Sequence, residues 1–123
     1  MDKLLDTSVI IELFKGNSKV SAQLPVDAEY ALPSIVLFEL FCGKLKPRQR
    51  LALEKMPVVD FDRSSAEIAG EIFRDLMSKG LMPPTKDLLI ASTAIAHNAE
   101  LVTCDKSFEQ FKEYGLKVKI LEK

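Results

Sequence analysis

Apolar runs of strand length alternate with helical patterns along all 123 residues, which predicts one α/β domain over 1–123. Its core is expected to be a mainly parallel sheet of about five strands flanked by helices. Acids follow two of the strand-like runs directly, at Asp6 and Asp105, and open parallel sheets keep their ligand sites at the carboxyl ends of strands. No repeat, low-complexity segment or linker divides the chain. Hydrophobic residues at 47% and charged residues at 28% are the balance of a globular domain with a true core.

The first strand is expected over 3–6, with a helix from Thr7 or Ser8. Val9, Ile10, Leu13 and Phe14 carry its helical spacing, and Gly16-Asn17 ends it. A short helix follows over 18–24, then a strand over 29–32 stopped by Pro33. Ser34 is expected to cap a helix reaching Cys42, with Gly43 at its end. After a basic segment and Pro47, a helix covers 48–55 and a third strand 58–61. Ser64-Ser65-Ala66-Glu67 has the form of a capping box that opens a long amphipathic helix ending at Gly80. Pro83-Pro84 is a rigid connector, and Thr85 is expected to cap a helix to about Asn98. A fourth strand over 101–104, a short helix marked by Phe108, Phe111 and Tyr114, and a last strand over 118–121 complete the reading.

A formal net charge of -1 is not the footprint of a tight, non-specific nucleic-acid binder. A local basic cluster does exist at Lys44, Lys46, Arg48 and Arg50, readable either as a solvated turn or as phosphate contacts. Cys42 and Cys104 lie among apolar residues without metal-binding spacing, so buried free thiols in a reducing compartment are expected. The first residues lack signal-peptide character, and no apolar run approaches the ~20 residues needed to span a bilayer. A cytoplasmic protein is the resulting expectation, with no membrane contact.

Four carboxylates are hard to place as ordinary surface charge. Asp6 ends the first strand, where it either caps the next helix or serves a site. Glu39 sits within Ile35-Val36-Leu37-Phe38-Glu39-Leu40-Phe41-Cys42, a helix apolar all round, so the helix is expected to be mostly buried and Glu39 at least partly buried. Asp87 opens another apolar helix, where it could instead complement the helix dipole. Asp105 follows the fourth strand and could cap the next helix. Separate explanations require four coincidences; one shared cation accounts for all four. Converging acids repel unless a counter-charge is present, and all-oxygen donors select a hard ion, Mg²⁺ or Mn²⁺. That chemistry points to metal-assisted hydrolysis of a phosphodiester, by one ion or two. Thr7, Ser8 and Thr103 border the site, either orienting a ligand carboxylate or water or making ordinary capping bonds. The one histidine, His97, reads as a cation at a helix C-terminus. No glycine-rich phosphate loop or Gly-x-Ser-x-Gly elbow is present.

Taken in order, Leu5-Asp6-Thr7-Ser8, Glu39-Leu40-Phe41-Cys42-Gly43, Asp87-Leu88-Leu89-Ile90-Ala91 with Ala94, and Leu101-Val102-Thr103-Cys104-Asp105-Lys106-Ser107-Phe108 resemble the four signature segments of PIN-domain ribonucleases, and more narrowly of VapC-type toxins. The resemblance covers nearly the whole chain. It implies a Mg²⁺- or Mn²⁺-dependent endoribonuclease acting on accessible RNA. Asp6, Glu39 and Asp87 match the principal metal-binding acids, and Asp105 matches a fourth position that is Asn in some members. It also implies a central first strand beside the second and fourth, a homodimer, and a VapB-type antitoxin whose tail covers the active groove. Ser92 departs from a common alanine, with no consequence expected.

Two other readings stay open on the residues. One is a non-catalytic PIN-like module that binds RNA or protein. The other is a phosphate-handling or signalling domain using Asp60 or Asp62, in which Glu39 would have no role.

Overall fold

In a computed structural model describing residues 2–123, the elements run β1 (Lys3–Leu5), α1 (Thr7–Phe14), α2 (Ser18–Ala22), β2 (Tyr30–Pro33), α3 (Ser34–Cys42), α4 (Pro47–Glu54), β3 (Val58–Val59), α5 (Arg63–Ser78), α6 (Thr85–Ala96), β4 (Glu100–Thr103), a 3₁₀ helix (Lys106–Tyr114) and β5 (Lys117–Ile120). The sheet order is β3-β2-β1-β4-β5, and every pairing is parallel. Leu4 lies opposite Ala31 on one side and Leu101 on the other. The chain builds outward from β1 to β2 and β3. It then crosses back through α5 and α6 to β4 and β5. The strand order therefore reverses at β1, and Asp6 leaves the sheet at that switch point.

Helices cover both faces, so the inner strands β1, β2 and β4 are mostly buried and read as apolar runs, whereas the edge strand β5 alternates. Leu4, Val9, Leu32, Val36, Ile90, Leu101, Phe108 and Phe111 are fully buried in one contiguous core. No helix among the described residues is long and apolar enough to cross a membrane.

Several local expectations change. The cap of α5 is Asp62, not Ser64: Asp62 Oδ1 accepts from Ser65 N at 3.0 Å and from Ser65 Oγ at 2.9 Å. The helix therefore starts before the presumed capping box, and Glu67 accepts from Arg63 Nε instead. His97 ends α6, as expected, and its Nε2 lies 3.3 Å from Asp62 Oδ2, joining the end of one helix to the start of its neighbour. Ser34 and Thr85 are first helical residues behind Pro33 and Pro84, which hold the cap positions. Ser34 Oγ accepts from Phe61 N across the sheet edge at 3.0 Å. The segment carrying Phe108 and Phe111 is 3₁₀ rather than α, and the third strand contracts to two residues.

α3 is not buried all round. Val36 and Leu40 face the core, whereas Phe38 is 57% exposed and Cys42 lies at the surface. One side of this helix meets the sheet, α1 and α6, and Phe38, Phe41 and Cys42 are left outside. Cys104 is half-buried, and both thiols are free.

Ser92 is fully buried in α6, and its Oγ is the one buried side-chain polar atom among the described residues without a partner. An unsatisfied buried hydroxyl costs ~1–3 kcal/mol. Ser92→Ala is therefore expected to raise stability by ~1 kcal/mol in urea unfolding. A lower midpoint in the alanine variant would show that the hydroxyl has a partner.

Candidate active site

Asp6 stands at the N-cap position of α1, with extended backbone, yet its side chain makes no cap hydrogen bond. The capping explanation fails for its carboxylate. Oδ2 instead accepts from Thr103 Oγ1 at 2.7 Å and Ser8 Oγ at 2.8 Å. Each hydroxyl has one proton. Both are spent on Asp6, so the 3.3 Å approach of Ser8 Oγ to Thr103 Oγ1 is two donors crowding one acceptor. The hydroxyl oxygens accept in turn: Ser8 from Cys104 N and Thr103 from Asp105 N, both at 3.0 Å. These bonds lock the end of β4 to the end of β1 and fix Asp6, which is only 5% exposed. Among the described residues no side chain donates to Oδ1, the oxygen left for a ligand.

Glu39 comes from the half-exposed face of α3. Its Oε1 accepts from Thr7 Oγ1 at 2.9 Å, so the first helical residue after Asp6 orients the second acid. Lys86 Nζ lies 3.8 Å from Oε2. Lys86 was not singled out in the sequence; its place beside Asp87 was the available signal.

Asp87 is half-buried in the first turn of α6. Burial, and then the charges of Asp105, Asp6 and Glu39, push its carboxyl up to about 6, while the Ser107 hydroxyl favours the charged form. The other three predicted acids therefore all bear on Asp87. Asp105 is exposed and does cap the 3₁₀ helix, accepting from Ser107 N at 2.9 Å, while its charge also bears on Asp87.

A carboxyl whose midpoint rises from 3.8 to about 6 on folding keeps a proton that the unfolded chain has released. Stability is then lost as pH rises through that window. The full shift corresponds to ~3 kcal/mol, and solvent screening at a half-buried group reduces this to ~1 kcal/mol. With EDTA present, Asp87→Asn is expected to match wild type near pH ~4 and exceed it by ~1 kcal/mol near pH ~7. Denaturant titrations at the two pH values check this; a constant difference would count against the coupling.

Among the described residues no three His, Cys, Asp or Glu side chains are grouped so as to hold an ion by themselves. The acids are coupled by charge without closing into a ligand cage.

The basic cluster divides. Lys44 and Lys46 line a groove of ≈ 490 Å³ that also holds Thr7 and Glu39, with Ile11, Phe14, Leu40 and Leu45 as its apolar wall. Arg50 turns away, its guanidinium 4.9 Å from the Phe41 ring centre and its Nε 3.7 Å from Glu54. Arg48 lines a shallow depression with Leu13 and Ala52 that adjoins the groove through Phe14 and Gln49.

The PIN domain model matches residues 3–114, and the chain belongs to this family. The likeness narrows to VapC proteins. Ribonuclease VapC3 of Methanocaldococcus jannaschii is 46% identical over 92 residues, covering 75% of this chain and 97% of that protein. Ribonuclease VapC1 of the same organism is 33% identical over 120 residues, or 94% of this chain and 85% of that protein. The crystal structure of VapBC2 from Rickettsia felis, bound to a DNA fragment from their promoter, matches with a TM-score of 0.83 at 30% identity, covering 99% of this chain and 100% of that one.

Proposed function

We propose that this chain is a Mg²⁺- or Mn²⁺-dependent endoribonuclease, the cytoplasmic toxin of a VapBC-type pair. The observation that carries the reading is Asp6. It is a buried carboxylate at the topological switch point, held through one oxygen by Ser8 and Thr103, and it bears on Asp87 together with Glu39 and Asp105. The donor set is all oxygen, and mutual repulsion among the acids is what a hard cation relieves. Mg²⁺ keeps several waters and takes few protein carboxylates, so uncaged acids fit it. Asp6, Glu39, Asp87 and Asp105 would hold the ion.

When bound, such an ion supplies charge stabilisation to a phosphodiester under attack by water. The chain's own residues set the geometry. Thr103 and Ser8 fix the Asp6 rotamer, and Thr7 fixes Glu39. Lys44 and Lys46 place positive charge along the groove that leads to Glu39. That local charge draws RNA to a chain whose net charge is -1.

The relatives' names and the VapBC complex support the RNA substrate and an antitoxin partner. The apolar wall of the groove suits an antitoxin tail that would cover the acids. A homodimer is proposed from the same family likeness. A second reading, an RNA- or protein-binding module without turnover, draws on the absence of a closed three-ligand group among the described residues.

The test is incubation of the purified, partner-free protein with RNA. Cleavage is expected with Mg²⁺ or Mn²⁺ and none with EDTA. Binding without cleavage in the metal-replete protein would favour the second reading.

A further inference from the structure

Among the described residues, Glu39 is the one acid of the four with a basic side chain within 4.0 Å, and that side chain is Lys86. At 3.8 Å the pair attracts through space but is too long for a hydrogen bond. The Lys86 side chain is 60% exposed and that of Glu39 23%, so the ammonium stays hydrated and weakly held. Glu39 does not depend on it for position, because Thr7 Oγ1 holds Oε1 at 2.9 Å.

An RNA strand approaching four acids is repelled unless free cations stand at the rim. Lys44 and Lys46 supply charge along the groove. Lys86 comes from α6, outside the residues that line that groove, and meets the same acid from a different element. With a divalent ion held by the acids, the Glu39 charge would be offset and its hold on Lys86 would weaken, since Coulomb attraction scales with the net charge each sees. The ammonium, still beside Glu39 at the edge of the acids, would then be free to meet a phosphate.

We propose that Lys86 is a substrate-binding residue, parked on Glu39 in the metal-free protein and released to an RNA backbone phosphate when the site holds its cation. This rests on the ribonuclease reading above. A compact ammonium on a flexible stem suits such a change of partner.

The test is fluorescence anisotropy with a short labelled single-stranded RNA, with Ca²⁺ replacing Mg²⁺ to limit turnover, across a KCl series. Lys86→Met is expected to bind roughly tenfold more weakly, the loss of one charge-assisted hydrogen bond. Its plot of log affinity against log salt should be shallower by ~0.7, the contribution of one single-strand phosphate contact. Lys86→Arg should restore both values. In EDTA the difference between wild type and Lys86→Met should largely vanish. Unchanged affinity and slope in Lys86→Met, beside a wild type that binds and cleaves RNA, would overturn this proposal alone. A wild type that neither binds nor cleaves RNA would overturn it together with the ribonuclease reading.

Discussion

Asp6→Asn is expected to lower RNA cleavage by roughly 100- to 1,000-fold, the scale of removing one preorganised electrostatic group from a reacting centre. The substitution preserves shape. The amide oxygen can occupy the place of Oδ2 and accept from Thr103 and Ser8, so the bonds between the ends of β1 and β4 survive. The other terminus becomes an NH₂ donor where an anion stood, and a donor cannot ligate a hard cation. The same variant should lose most of the melting-temperature rise that Mg²⁺ or Mn²⁺ gives the wild type by binding the folded state. Without metal it should melt no lower than wild type, because one of the charges that raise the Asp87 carboxyl is gone. Thermal melts with and without metal, run beside a cleavage assay, check both parts. A metal response equal to wild type would remove Asp6 from the site.

Thr103→Val is expected to cost ~2–3 kcal/mol of stability and reduce cleavage by roughly 10- to 100-fold. Thr103 is fully buried and has two partners, donating to Asp6 and accepting from Asp105 N. Valine fills the same volume but serves neither. The backbone N–H of Asp105 loses its acceptor, and a buried carboxylate loses one of its two donors. Urea unfolding and cleavage rates measure the two effects, and Thr103→Ser should recover most of both. If valine were as stable as threonine, the hydroxyl network would have no structural role.

Much of this site was legible in the sequence because its acids interrupt apolar runs. Asp6 and Asp105 could be placed by the rule for strand ends, and Glu39 by the greasy helix around it. What Asp6 does with its two oxygens was not legible. A cap and a ligand look alike in one dimension, and only the arrival of β4 at β1 brings Thr103 within reach. The helix starts were misread for a local reason. Ser64 competes with Asp62 for the same cap, and the competition is settled by backbone shape at Asp62, which is already extended. α3 misled in another way: a uniform apolar pattern has no periodicity to say which face is outside, so Phe38 and Cys42 were assigned to the interior. For the basic cluster the residues leave a solvated turn and phosphate contacts equally open, because spacing along a chain does not say which cations reach the groove; Lys44 and Lys46 line it, and Arg50 lies against Phe41.

The strand order has a consequence for when this protein becomes active. Asp6 and Thr103 are 97 positions apart, and β1 lies between a strand made early and one made late. A chain still being synthesised can pair β1 with β2 and bring Ser8 to Asp6, but Thr103, the second donor, has not yet left the ribosome. At ~5–20 residues per second, several seconds separate the first acid from the hydroxyl that orients it. Nascent chains and C-terminal truncations ending before β4 therefore carry three of the acids without a working centre. Placing the oldest strand beside one of the youngest delays hydrolytic competence until the fold is nearly complete.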